Sequence, residues 1–159
     1  MPYKGRPVKL DAYDRKILSA LQANARITTT DLAGQVGLSK TPVAARIRAM
    51  EEAGIIAGYR AILSPIKLGL THITYVEVRM TDTREKALAQ FNDAVRRIDE
   101  VEECYMIAGG FDYLLKVRSV DMDHYRRIMG EKLSTLPHVA STSSYVSMEA
   151  VVEQSVIVL

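Results

Sequence analysis

Thr28-Thr29-Thr30-Asp31-Leu32-Ala33-Gly34-Gln35-Val36-Gly37-Leu38-Ser39-Lys40-Thr41-Pro42-Val43-Ala44-Ala45-Arg46-Ile47 decides the fold of the first half of the chain. Thr28 with Asp31 three residues on has capping-box spacing, so a helix starts here. It is short, because Gly37 follows Val36 and tolerates the left-handed backbone of a tight turn. Ser39 opens a second helix, with Pro42 in its first turn, where a missing N–H is harmless. Ala33 is small where two helices cross, and Leu32, Val36, Leu38, Val43 and Ile47 seal the angle between them. This is the pattern of a helix-turn-helix. With that side buried, Lys40, Thr41, Ala44, Ala45 and Arg48 face outward.

The outward face suits the DNA major groove. Ala44 and Ala45 permit close approach, and Lys40 and Thr41 at the helix start are expected to reach base edges. Arg46, Arg48 and Arg60 are expected on phosphates, which set affinity and register rather than sequence. Lys4, Arg6 and Lys9 would add non-specific attraction. The same spacings also fit a plain three-helix bundle with a solvated charged face. Charge distribution bears on the choice. Residues 1–60 hold ten Lys/Arg against five Asp/Glu, whereas residues 61–159 hold eleven against fourteen, although the whole chain is only +2. A basic first part fits a polyanionic partner.

Upstream, Asp11 can cap a helix in which Asp14 meets the positive end of the dipole and Ile17, Leu18 and Leu21 form the apolar face. Downstream, Gly54 stops the third helix and Ile55-Ile56 return the chain to the core. Residues 61–70 read as a linker, punctuated by Ser64-Pro65 and Gly69. Beyond them the pattern changes. Ile73–Met80 reads as a strand; Asp82 can cap a helix with the face Leu88, Phe91, Val95 and Ile98. Cys104–Ala108 is a strand, Gly109-Gly110 a turn, and Tyr113–Val117 a strand. Asp121 can cap a helix bearing Tyr125, Ile128, Met129, Leu133 and Leu136, ended by Pro137. Val139–Met148 is the last strand. The order βαββαβ is that of a ferredoxin-like domain. The expected class is α+β: residues 1–60 for DNA, 61–70 a linker, and 71–159 for assembly and effector binding. Apolar groups on both faces of Ile73–Met80 call for a partner on the face the helices leave open.

Composition narrows the function classes. The chain has 159 residues and 48% apolar content, with no apolar stretch long enough to span a bilayer. Its first residues lack the apolar core of a signal peptide. The single Cys104 excludes an internal disulfide and a cysteine metal site. A cytoplasmic protein without membrane partners is expected. An enzyme is not: His72, His124 and His138 lie in different elements without ligand spacing, and Glu100, Glu102 and Glu103 read as a solvated acidic run before a strand. No cofactor is expected. Gly109, Gly110 and Asp112 are able to hold a free amino acid, turn amides taking its carboxylate and Asp112 its ammonium; Gly-Gly-x-Asp is equally ordinary hairpin chemistry. An amino-acid-binding module acting through protein contacts is the alternative to DNA binding.

Several motifs in order resemble the Lrp/AsnC family of "feast/famine" regulators. They are Leu10-Asp11-x-x-Asp14-x-x-Ile17-Leu18, Leu32-Ala33-x-x-Val36-Gly37-Leu38-Ser39, Arg46-Ile47-x-x-Met50-Glu51-x-x-Gly54-Ile55-Ile56, Gly109-Gly110-Phe111-Asp112-Tyr113-Leu114-Leu115 and Tyr145-Val146-Ser147-Met148-Glu149. Met50 stands where members often carry leucine. The resemblance implies a winged-type helix-turn-helix joined to a ferredoxin-like effector domain. It also implies dimers assembling to tetramers or octamers, with small amino acids bound between dimers; the two-fold symmetry of a dimer would then present two recognition helices to pseudo-palindromic DNA. It places the Gly109–Asp112 turn at the effector site, lined further by Met122, Tyr145, Val146 and Ser147.

Overall fold

The computed structural model of the chain describes residues 9–153. Lys4, Arg6 and the tail from Gln154 to Leu159 lie outside the described residues. By their internal contacts the residues fall into two compact units, one reaching Ile62 and the other spanning Leu63–Glu153.

The first unit holds α1 (Ala12–Ala23), α2 (Thr29–Val36) and α3 (Lys40–Glu52). Asp11 accepts from the Asp14 amide at 2.9 Å and Asp14 accepts from the Asp11 amide at 3.0 Å, so α1 begins with a closed capping box. Thr28 caps α2 by accepting from the Asp31 amide at 3.1 Å, but Asp31 turns its carboxylate to the Thr28 hydroxyl rather than to backbone. Ser39 occupies the N-cap of α3 without a side-chain bond. Gly37 ends α2 at φ 75°, and Gly54 sits at φ 70° where the amides of Ile55 and Ile56 turn back to the Met50 carbonyl. That closure swings Ile55 and Ile56 against the buried set Ile17, Leu18, Leu32, Ala33, Val36, Val43 and Met50. Burial stabilises by about 1.5–3 kcal/mol for each large aliphatic side chain. Among the described residues of this unit there is no strand, so three helices alone carry it.

The second unit runs β1 (His72–Met80), α4 (Glu85–Val95), β2 (Val101–Met106), β3 (Tyr113–Ser119), α5 (Met122–Glu131) and β4 (Val139–Val146). The sheet order is β2-β3-β1-β4, and every pair is antiparallel. This is the ferredoxin-like arrangement. Val76 and Val78 of β1 and Tyr113, Leu115 and Val117 of β3 face Phe91 and Val95 of α4 and Tyr125 and Ile128 of α5. The Phe91 and Tyr113 rings lie 4.4 Å apart at the centre of that core. Alternation puts Ile73, Tyr75 and Glu77, Leu114, Lys116 and Arg118, and Tyr145 on the opposite face.

Four expectations need correction. Asp82 does not cap α4: it accepts from the Arg84 amide and side chain at 2.7–3.0 Å, and the helix starts at Glu85. β2 starts at Val101, not Cys104, and takes the acidic run into the sheet, because Arg118 and Lys116 on β3 supply counter-charge to Glu102. Glu100 pairs with Lys132 at 2.6 Å. The last helix stops at Glu131, and Leu133 lies in a separate 3₁₀ turn, Leu133–Thr135, before Pro137. Residues 61–70 are not plain linker either, since Ile66–Leu68 forms a 3₁₀ turn closed by Gly69.

Candidate functional site

The candidate DNA face is the outer side of α3. Lys40, Thr41, Ala44, Ala45 and Arg48 are exposed there, while Val43 and Met50 are buried behind them. Lys40 makes no ion pair with a described residue and stands in the first turn. Arg48 donates to Glu52 at 2.9 Å one turn on, with both side chains largely in water. Such an exposed pair is worth a few tenths of a kcal/mol, so a phosphate can displace it at little cost. Arg60 is exposed beyond α3. Its neighbour Tyr59 donates to Glu51 at 2.9 Å, which ties this stretch to the end of the helix.

Arg46 lies elsewhere. It shares the inner face of α3 with Val43 and Met50, and its Nη1 donates to Asp11 and to Asp14, both at 2.7 Å. Its Cζ is 5.7 Å from the Tyr13 ring centre. The Asp14 carboxylate, then that of Asp11, holds the guanidinium pKa above its ordinary value. The Asp14 amide, helped by Arg46 against the cost of burial, holds the Asp11 carboxyl below its own. The expectation of a phosphate contact at Arg46 therefore meets two carboxylates already in place. The signal was present in the sequence: Asp11-x-x-Asp14 opens α1, and Arg46 repeats the period of Val43 and Met50.

In the second unit the expected effector residues form two groups. The first is the β2–β3 hairpin. Neither Gly109 nor Gly110 has the left-handed backbone that would demand glycine; a Cβ at Gly110 would meet nothing within 4 Å, and one at Gly109 only the Ile107 side chain at 3.4 Å. Asp112 is half-buried, and its Oδ2 accepts from the Met80 amide at 2.7 Å while its own amide donates to the Val78 carbonyl. It pins the hairpin to the end of β1, a structural task the sequence did not reveal. The second group is Met122, Tyr145, Val146 and Ser147. Met122 is the first residue of α5, directly after β3, and Val146 pairs with Thr74 of β1. The Ser147 amide donates to the Ile73 carbonyl at 2.9 Å, and Tyr145 donates to Glu77 at 3.3 Å. Met122, Tyr145 and Val146 are about half exposed, as groups waiting for a neighbour would be.

The two groups sit at opposite ends of β1. Asp112 holds Met80, and Val146 lies across from Thr74, six residues away or about 20 Å along a strand. One protomer therefore keeps Asp112 and Val146 apart, although the Tyr145 hydroxyl reaches back to Glu77, next to the Val78 whose carbonyl takes the Asp112 amide.

On the open face, Lys116 and Arg118 are more than nine-tenths buried. Arg118 binds Glu102, Glu153 and the Leu70 carbonyl, and Lys116 binds Glu153 and Glu102. Burial raises the Glu102 pKa, but Arg118 and Lys116 pull it below the ordinary value overall. Cys104, facing α4, is pushed up to about 11 by burial, the reverse of what a reactive thiolate needs. No group of three or more His, Cys, Asp or Glu able to hold a metal occurs among the described residues, and none of the described helices is long and apolar enough to cross a membrane.

Residues 10–57 match the family model of a winged helix-turn-helix DNA-binding domain, and residues 73–157 match that of the Lrp/AsnC ligand binding domain. The chain belongs to the Lrp/AsnC family. It is a DNA-binding transcriptional regulator with an appended ligand-binding domain. It is 77% identical over 146 residues to the proline dehydrogenase transcriptional activator of Rhodobacter capsulatus, covering 92% of this chain and 95% of that one. It is 43% identical over 157 residues to the leucine-responsive regulatory protein of Escherichia coli K12, covering 98% and 96%. A Neisseria meningitidis transcriptional regulator, solved as a complex with L-Met, superposes with a TM-score of 0.86 at 31% identity, covering 92% and 95%. As a member of the Lrp/AsnC family the chain reads DNA through α1–α3 and binds its ligand through the ferredoxin-like unit, so the reading as a module acting through protein contacts alone is not favoured.

Proposed function

We propose that this Lrp/AsnC regulator senses proline and controls transcription of a proline dehydrogenase gene. The observation that carries this is the 77% identity, over nearly the full length of both chains, to an activator of that gene. In this reading Lys40, Thr41 and Ala44 read bases, Arg48 and Arg60 hold phosphates, and the protein works in the cytoplasm as a regulator rather than a catalyst. The effector site combines Gly109, Gly110 and Asp112 of one copy with Met122, Tyr145, Val146 and Ser147 of another. Support comes from the separation of Asp112 and Val146 within a protomer, about 20 Å along β1 between Met80 and Thr74, and from the exposure of Met122, Tyr145 and Val146. Asp112 has a second carboxylate oxygen beyond the one on Met80, and the space beside Gly110 admits a carboxylate. Proline presents a secondary ammonium with two N–H donors and an apolar ring, which matches one carboxylate oxygen and a methionine–valine wall. Calorimetric titration of the twenty amino acids tests the reading. Proline is expected to bind most tightly and to shift affinity for the proline dehydrogenase promoter. Tighter binding of another amino acid would redirect the effector assignment.

A further inference from the structure

We infer that Arg46 is a positioning residue that sets the recognition helix against the N-terminus of α1, and that it neutralises no phosphate. Each carboxylate of the α1 capping box has two oxygens, and each oxygen takes one donor. Asp11 Oδ1 takes the Asp14 amide and Asp11 Oδ2 takes Arg46; Asp14 Oδ2 takes the Asp11 amide and Asp14 Oδ1 takes Arg46. The four bonds close a figure that joins two helices at one polar point, 32 and 35 residues apart in sequence. The Arg46 side chain is two-thirds buried and that of Asp14 more so. One cation against two anions leaves the cluster net negative, so a phosphate brought to Arg46 would meet repulsion from both carboxylates. What the cluster fixes instead is the placement of α3. Beyond the Tyr13 ring against Arg46, its tie to α1 is an apolar seal of Ile17, Leu18, Val43 and Met50, which is less directional and tolerates sliding more than charge-assisted hydrogen bonds from Arg46 Nη1 to two carboxylates do. Base edges are read only when the side chains that reach them are held within about 0.5 Å and 10–20°.

The inference rests on DNA binding by α3, and binding by the unsubstituted protein is the control that separates the two. The probes are a duplex selected by that protein from a randomised library and a scrambled duplex of equal composition, each titrated over a salt series. Arg46→Met is expected to weaken binding to the selected duplex about tenfold or more, to change the scrambled duplex little, and to leave the slope of log affinity against log salt unaltered. Arg48→Met should weaken both duplexes alike and flatten that slope by about 0.9. The paired substitution Asp11→Asn with Asp14→Asn keeps cap acceptors while removing both charges, so α1 still starts correctly. It is expected to reproduce the Arg46→Met loss, and adding Arg46→Met to it should cost little more. If the Asn pair tightens binding, if Arg46→Met flattens the salt slope, or if both leave the selected duplex untouched, Arg46 is not a positioning residue.

Discussion

Asp112 shows one carboxylate serving two demands. Its Oδ2 closes the Met80 amide at the end of β1, so truncating it would leave a partly buried backbone donor without a partner, at a cost of about 1–3 kcal/mol. Asp112→Asn keeps an acceptor there and removes only the charge. The variant should melt within a few degrees of the parent while losing about 1.5–3 kcal/mol of amino-acid affinity, tenfold or more in Kd by calorimetry. Equal affinities would confine Asp112 to the hairpin. Gly110→Ala separates the same alternatives from the other side. Nothing within 4 Å opposes the added methyl and the backbone there is not left-handed, so folding should be unaffected or slightly improved. A weakened effector response in a fully stable Gly110→Ala protein would then report the ligand, or the copy that helps hold it. The sequence showed Gly-Gly-x-Asp as a pattern with two meanings. Only the hydrogen bond to Met80, 32 residues away, shows that the structural meaning is real without excluding the other.

Local signals ruled wherever an element was closed by its own neighbours. The caps at Asp11, Thr28 and Asp121 and the stops at Gly37 and Gly54 were legible because each depends on contacts within a few residues. Two of the misread boundaries trace to charge, from a near neighbour at Asp82 and from across the sheet at Glu102. Asp82 forgoes its helix for Arg84, and Glu102 enters a strand because Arg118 and Lys116 on the next strand neutralise it. That network makes the sheet acid-sensitive. The Glu102 pKa is raised by burial but held below normal overall by Arg118 and Lys116, and Lys116 likewise lowers that of Glu153. A depressed folded-state pKa contributes stability that is present above the unfolded value, about 4.3, and is lost as pH falls through the folded one. Glu102→Gln should therefore destabilise the protein at pH 7 by about 1–2 kcal/mol, discounted because the side chain is one-third exposed and Glu153 remains. The difference should shrink as pH falls below the unfolded value and through the depressed folded one. Urea midpoints at pH 7, 5 and 3.5 check this; a gap that persists unchanged into acid would mean the loss is one of packing, not charge.

At the scale of the whole molecule, the open sheet face and the divided effector residues both call for a second copy. Tyr75, Leu114 and Tyr145 lie on the side of the sheet away from α4 and α5, with Tyr75 paired between Tyr145 and Lys116. A second copy of the same face is the simplest cover, and its two-fold axis would present two α3 helices to half-sites about 34–36 Å apart or a multiple of that. Leu114→Asp in the intact chain should shift light-scattering mass toward the monomer and lower operator affinity with it; an unchanged mass would place the interface elsewhere.

An effector site divided in this way makes a sharper demand, because Asp112 and Val146, about 20 Å apart along β1, cannot be bridged by one amino acid. Asp112→Asn and Met122→Asp should each weaken effector binding about tenfold or more when present in every copy. Mixed in equal amounts and allowed to exchange, the two defective proteins should regain part of it. A site built from the hairpin of one copy and the α5 end of another is intact whenever an unaltered Asp112 meets an unaltered Met122. With random assembly that happens in about a quarter of sites. Sites built within one protomer would never be intact in such a mixture, whatever the ratio. Calorimetry on the mixture therefore separates the two arrangements through stoichiometry rather than affinity. A recovered fraction near one quarter with wild-type Kd places the effector between copies. No recovery, in a mixture whose exchange is confirmed by labelled subunits, would mean that Asp112 and Met122 act within one protomer.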